Sequence, residues 1–377
     1  MSGPLEGIKV VELAGIGPGP YACMLLADLG ADVLRLERGD AGAAREPSWD
    51  LLNRSRYSVA IDLKNVAGRE LVLELCEQAD ALIEGFRPGV AERLGLGPED
   101  VRRRNPRLVY GRMTGYGQTG PLSQRAGHDI NYIAISGALW PLGREGDRPV
   151  PPLNLVGDFG GGSLFLAMGV LAGIIAARST GEGQVVDAAM VDGSASLLSM
   201  THSFMNLGFW KDERGVNILD SGAHFYEVYE TRDHRYMAVG AVEAKFYEEV
   251  LRGLGLGGDE LPAQMDRLHW PEMKEKFASI FATKTREEWT DIFAELDACV
   301  SPVLSPREAT VHPYNTARDV FEIDDVIQPR PAPRFSKTPG KIGIAPHVAG
   351  SGTREGLEQW GIDAIRQETL RESGAFG

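Results

Sequence analysis

The sequence predicts an α/β protein of two domains, a large one followed by a smaller α+β one, and three observations predict it. The N-terminal stretch reads as strand, glycine turn, helix and strand, which is a βαβ unit. Short apolar strands and helices keep alternating to about residue 200. Beyond residue 222 polar and apolar residues alternate about a turn, and amphipathic helices follow. The boundaries read from this are 1–200 for the large domain, 201–222 for a linker, 223–325 for the small domain and 326–377 for a return segment that packs on the large domain.

Taken in order, Ile8 to Leu13 forms a strand, AGIGPGP a turn, Tyr21 to Leu29 a helix, and Val33 to Glu37 the next strand. Gly15, Gly17 and Gly19 resemble a dinucleotide fingerprint, with Glu37 at the following strand end. The match is poor, because Pro18 and Pro20 remove two N–H donors from the turn that would cradle a pyrophosphate, and the third glycine is displaced. Gly39 to Trp49 reads as a loop. LLNRSRYSVAIDLKN then brings Arg54, Arg56 and Lys64 around a short strand, Arg69 to Gln78 is helical, and Ala81 to Ile83 is a strand. EGFRPGVAERLGLG leads into a helix carrying Arg87 and Arg93. The strand Leu108 to Met113 precedes the loop that reaches His128, and an apolar helix, expected to be buried, opens at Ser163 and ends near Ser179. QVVDAAMVDGSASLLSM supplies another strand and helix. HFYEVYETRDHRYMAVGAVE is a hairpin about Arg232 to His234, and helices follow near Lys245 to Leu254, Pro271 to Ala282 and Arg286 to Leu296. QPRPAPRFSKTPG leads back to a helical tail, Gly356 to Glu372.

Composition narrows the function. With 377 residues, 43% hydrophobic and 24% charged, the chain is an ordinary globular one. Its formal net charge of −14 argues against nucleic acid or an anionic membrane as partner, so a polyanionic ligand must meet a local cluster of cations. Arg54, Arg56, Lys64, Arg87 and Arg93 recur where strands pass into loops, the place at which open α/β sheets bind phosphates, whereas Arg102 to Arg104 read as solvated surface. Cys23, Cys76 and Cys299 are scattered and lack metal-ligand spacing, which implies a reducing compartment and three core residues. The start MSGPLEGIKVVEL lacks the basic and apolar regions of an export signal, and the end ESGAFG has no peroxisomal tripeptide, so a cytoplasmic location is expected. The longest apolar run, Leu164 to Ala177, is short of the roughly 20 residues that a spanning helix needs, and no membrane insertion is expected.

Two side chains stand out as proton carriers. Asp158 precedes Gly160, Gly161 and Gly162, and Ser163 opens the apolar helix, so a carboxylate is expected beside unpaired backbone N–H groups that favour its ionised form and could hold an oxyanion. As a plain N-cap it would need at most one glycine, and there are three. His128 lies between Gly127 and Asp129 at the mouth of a segment with apolar Ile130, Ile133, Ile135 and Leu139. His202, His224, His234, His269, His312 and His347 read as ordinary hydrogen-bonded histidines.

The stretches VELAGIGPGP, DLK at Asp62 to Lys64, FRPGVAERLGLG, MTGYGQTGP, GHDINYI, PVPPLNLVGDFGGGS and QVVDAAMVDGS carry a resemblance. Through them the chain resembles, over nearly its whole length, the alpha-methylacyl-CoA racemases of the family III CoA-transferase superfamily. The resemblance implies a Rossmann-like large domain and an interlocked homodimer acting in lipid metabolism. Its substrate would be an acyl-CoA thioester, with neither cofactor nor metal. It makes His128 and Asp158 the two acid/base residues, with Glu243, from the other subunit, paired to the histidine. It assigns CoA contacts to Arg38, Ile61, Asp62, Leu63, Lys64, Gly85, Phe86, Arg87, Arg93, Gly127, Asp129, Ile130, Asn131 and Tyr132. Inverting a carbon next to a thioester needs one group to remove a proton and another to return one, and these two side chains meet that need. CoA transfer, with Asp158 as a nucleophile, is the alternative, and a non-catalytic acyl-CoA-binding protein is a third reading. Met190, Met200 and Met205 offer an adaptable apolar surface for an acyl tail, although core packing accounts for them equally well.

Overall fold

A computed structural model describes residues 3–39, 50–323 and 325–376. Most of the loop expected at Gly39 to Trp49 lies outside the described residues. The chain divides into two compact units: Met1–Ser136, Leu153–Leu197 and Ala317–Gly377 form the first, and Gly137–Pro152 with Leu198–Thr316 form the second.

The first unit is built on a six-stranded, wholly parallel sheet. Its strands are β1 (Lys9–Leu13), β2 (Asp32–Glu37), β3 (Tyr57–Ala60), β4 (Ala81–Glu84), β5 (Val109–Thr114) and β6 (Val185–Ala189), in the order β3-β2-β1-β4-β5-β6. This is the strand order of a Rossmann sheet, with the switch point between β1 and β4. The connecting helices are α1 (Pro18–Asp28), α2 (Val66–Cys76), α3 (Val90–Arg93), α4 (Pro98–Arg104), α5 (Asp129–Ser136), α6 (Leu164–Thr180) and α7 (Met190–Leu197). One core face joins β1 to β5 with α2 and the C-terminal segment through Leu34, Leu71, Leu82, Tyr110 and Trp360. The other packs α1 and α6 on the sheet through Val10, Leu26, Ile83, Val109, Leu166 and Val170. Glu12 of β1, 1% exposed, bonds Arg35 at 2.6 Å and Arg56 at 2.5 Å, so a buried carboxylate is compensated by two guanidinium groups. Arg54 is likewise buried against Asp28 at 2.6 Å. These two arginines, expected among the phosphate cations, are therefore structural.

Three further expectations are corrected in this unit. Residues Leu155–Ser163 form a π-helical turn that runs without a break into α6, so Gly160, Gly161 and Gly162 lie inside a helix and not in a tight turn before one. The reason is close packing. A Cβ on Gly161 would stand 2.6 Å from Ser194 Oγ, and one on Gly162 2.8 Å from Met190 Cγ, so only glycine admits α7. Nor is α6 fully buried, since Leu164, Met168 and Ile175 are 51%, 60% and 68% exposed. The continuous helix Leu155–Thr180 has 26 residues and is by length and composition able to cross a bilayer, which overturns the length argument made from Leu164 to Ala177. Its other face is nevertheless that of a core helix, with Gly173 against Val109 and Gly169 against Val186.

The second unit holds α8 (Ser199–Asn206), the antiparallel strands β7 (Tyr226–Glu230), β8 (Tyr236–Gly240) and β9 (Val300–Pro302), and the helices α9 (Ala244–Gly253), α10 (Trp270–Phe281), α11 (Arg286–Ala294), α12 (Pro306–Val311) and α13 (Pro313–Ala317). An aromatic core of Phe225, Tyr229, Trp270, Phe277, Phe281 and Trp289 holds them together. Cys299, expected in the core, is exposed. Residues 201–222 are not a linker. Asn217 and Asp220 bond each other and the backbone at Lys211, Glu213 and Gly215, and Arg214 reaches the Trp140 carbonyl, which draws Gly137–Pro152 out of the expected large domain into this unit. The return to the first unit adds the hairpin β10 (Phe321–Ile323) and β11 (Ile327–Pro329), then α14 (Thr353–Gln359) and α15 (Ala364–Glu372). Asp62 N–H donates to the Ala375 carbonyl at 2.8 Å, and Trp360 Nε1 to Asp32 at 3.0 Å, which docks the tail on the sheet.

Candidate active site

A cavity of about 1470 Å³ opens at the carboxyl ends of the parallel strands, spanning the switch point. The ends of β1 and β2 supply Glu12 to Ala14 and Glu37 with Arg38; the end of β4 supplies Glu84 to Arg87, and that of β5 Met113 to Gly115. Parallel strands bring these distant segments to one edge, which is why the strand-end cations converge although the chain as a whole is acidic.

Of the residues expected to hold CoA, Arg38, Asp62, Leu63, Lys64, Gly85, Phe86, Arg87, Gly127 and Tyr132 line this cavity. Ile61 also borders it, but its side chain is 3% exposed and packs into the core. Arg93, Asp129, Ile130 and Asn131 are not part of the lining. At the start of α5, Asp129 is buried at 6% exposure and Ile130 is 43% exposed. Arg112, which sequence reasoning passed over, lies buried under the β4 and β5 ends and pairs with Glu84 at 3.0 Å and Glu92 at 2.8 Å.

His128 and Asp158 both line the cavity, and the charge of His128 acts on the Asp158 carboxyl. His128 is exposed and ends the loop just before α5; its N–H donates to Asn131 Oδ1 at 3.1 Å, and Asn131 and Tyr132 N–H donate back to its carbonyl. Tyr132 reaches from the next turn to bond the Gly127 carbonyl and crosses Tyr116 edge to face at 5.0 Å. Burial pushes its phenol up to about 12, so it stands as a neutral hydroxyl. On the other side Asp158 Oδ2 accepts from Asn154 Nδ2 at 3.2 Å, and a Cβ on Gly17 would come within 3.4 Å of the same oxygen. Gly17 has φ 74, a left-handed value that glycine adopts without strain, and it caps α1. The AGIGPGP turn, read only as a weak fingerprint, is therefore a wall of this cavity.

The electrostatics of Asp158 differ from expectation. Burial raises its carboxyl above the usual carboxylate range, the Asn154 bond lowers it, the Asp129 charge raises it and His128 lowers it. The carboxyl thus holds a proton more readily than the expected helix-start carboxylate would. Its own N–H is occupied, donating to Asp129 Oδ2 at 2.7 Å. It is therefore not one of the unpaired donors expected beside the carboxylate.

Glu243 belongs to the second unit, exposed at the N-cap of α9, where its carbonyl accepts from Phe246 and Tyr247 N–H at 3.0 Å. Met190 lines the cavity, whereas Met200 and Met205 are 53% and 38% exposed on α8. Sequence reasoning also missed His347 to Ala349, which border the cavity from the return segment. A proline-rich tail carries no periodic signal that would place it there. Asn154 had one available, its four-residue spacing from Asp158.

Residues 5–351 match the family model described as CoA-transferase family III. The chain is 49% identical to the mouse (Mus musculus) alpha-methylacyl-CoA racemase over 89% of its length and 87% of that protein. It is 48% identical to the human (Homo sapiens) alpha-methylacyl-CoA racemase over 95% of its length and 94% of that protein. Among solved structures, a CaiB/BaiF family protein from Brucella suis superposes with a TM-score of 0.81 at 24% identity, covering 96% of this chain and all of that one, which shows the same fold.

Proposed function

Because the chain belongs to family III of the CoA-transferases, we propose that it interconverts the (2R) and (2S) forms of a 2-methylacyl-CoA thioester by 1,1-proton transfer. The observation that carries this reading is the joint presence, in one cavity at the phosphate-binding edge of the sheet, of an exposed imidazole and a carboxyl whose burial favours its protonated form. The near 50% identity to two racemases supports it. Neutral His128 removes the C2 proton of one epimer while Asp158, as the acid, delivers a proton to the opposite face of the planar enolate; the roles exchange for the other epimer. Arg38, Lys64 and Arg87 meet the phosphates of CoA. Glu243 from a second subunit orients His128, within a homodimer. That dimer would cover the apolar stripe Leu164, Met168 and Ile175 along α6, side chains whose exposure is otherwise unfavourable.

The test is to incubate each pure epimer with the protein in deuterated water. Exchange of the C2 proton with loss of optical purity is expected, and its absence would rule the reaction out. CoA transfer would instead pass through an anhydride on Asp158, so hydroxylamine added during turnover is expected to leave Asp158 unmodified; an Asp158 hydroxamate would favour the transferase reading.

A further inference from the structure

Asp129 follows His128 directly, yet it is not among the residues that line the cavity. It is 6% exposed, Oδ2 accepts the Asp158 N–H at 2.7 Å, and Oδ1 has no hydrogen-bond partner among the described residues. Resting on the racemase reading above, we propose that Asp129 is a positioning residue: its carboxylate ties the backbone of Asp158 to the start of the helix that presents His128, and so sets the separation of the two proton carriers. The neighbouring sequence makes room for this bond. A Cβ on Gly157 would stand 2.6 Å from Asp129 Oδ2 and 3.1 Å from Ile133 Cγ2, so the contact forms only because residue 157 is glycine.

A buried carboxylate oxygen ordinarily finds a donor, and one left without is retained against stability, which is typical of functional positions. Here its negative charge has a use. It lies close enough to raise the Asp158 carboxyl, adding to burial and opposing His128 and Asn154. The other titratable groups on elements packed against the π-helical turn do not act on it in this way. Tyr132 stands neutral, Arg112 of β5 is engaged by Glu84 and Glu92, Asp187 of β6 accepts from Gln118 N–H, Asp192 of α7 is exposed, and Tyr21 of α1 stacks on Phe159.

Two variants separate position from charge. Asp129→Asn retains an acceptor oxygen and removes the charge. Gly157→Ala retains the charge and pushes the carboxylate off the Asp158 N–H. The pH profile of C2 exchange is measured from both epimers for wild type and each variant, with thermal unfolding as the control on the fold. For the epimer whose proton Asp158 removes, the acidic limb of kcat/KM is expected at lower pH in Asp129→Asn than in wild type, because the carboxyl then loses its proton more easily. In Gly157→Ala, kcat is expected to fall by about 100-fold, the order that a 1 Å misplacement brings. An Asp129→Asn limb that coincides with that of wild type, or a Gly157→Ala kcat equal to that of wild type, overturns the inference alone. Absence of exchange in wild type removes the racemase reading and the inference together.

Discussion

At the residue scale, Asp158 combines a chemical advantage with a thermodynamic cost. Its folded-state carboxyl is raised above the unfolded value, chiefly by burial, so in the window between the two values the folded state binds the proton and the unfolded state does not. Stability therefore falls as pH rises through that window, and the penalty is fully present above it. Asp158→Asn is expected to unfold at a higher temperature than wild type at neutral pH, the difference vanishing below the ordinary aspartate range. The same variant is expected to lose C2 exchange by about 100-fold to 10,000-fold, the usual contribution of a general acid or base. Calorimetry at several pH values and the deuterium assay check the two halves, and a variant less stable than wild type at neutral pH would contradict the burial account.

At the element scale, the glycines of the π-helical turn are steric requirements. Alanine replacing glycine inside a helix normally stabilises by about 1 kcal/mol. At Gly161 the added Cβ would stand 2.6 Å from Ser194 Oγ and 2.7 Å from Ser194 N, and overpacking of this kind costs about 1–3 kcal/mol. Gly161→Ala is thus expected to unfold at lower denaturant and to lose activity, since the clash displaces the turn that carries Asp158. Gly19→Ala in α1, where an added Cβ meets nothing within 4 Å, is expected to leave the midpoint unchanged or raised. Strand ends behave differently. Glu12→Ala leaves Arg56 buried without its carboxylate and Arg35 with only Glu37, 3.4 Å away, and is expected to cost about 3–5 kcal/mol in urea unfolding, weakening the cavity wall formed by β1 and β2.

On the scale of the whole molecule, Leu164, Met168 and Ile175 fall on one stripe of α6, 51–68% exposed, on a helix whose other side is pressed to the sheet. If two copies cover this stripe, Met168→Lys with Ile175→Lys should shift the protein from dimer to monomer in analytical ultracentrifugation. The same pair should reduce C2 exchange, because Glu243 of the proposed second subunit would no longer reach His128. Wild type sedimenting as a monomer would remove both the dimer and this source of Glu243.

Much of this protein is legible in its sequence because the signals are local. Periodicity marks β1, α1 and β2, the Arg232 to His234 hairpin and the amphipathic α10 and α11, and short motifs single out His128 and Asp158. Tertiary packing decided the rest. It converted the Gly160 to Gly162 turn into a π-helix, since only packing against Ser194 and Met190 reveals why the glycines are needed. It took Arg54 and Arg56 out of the ligand site by burying them against Asp28 and Glu12, partners 26 and 44 residues away. It brought the Asp129 carboxylate onto the N–H of Asp158, 29 residues distant. The physical reason is the same throughout: propensity and periodicity act over a turn or two of chain, whereas burial, charge compensation and steric exclusion depend on residues that only the folded sheet brings together.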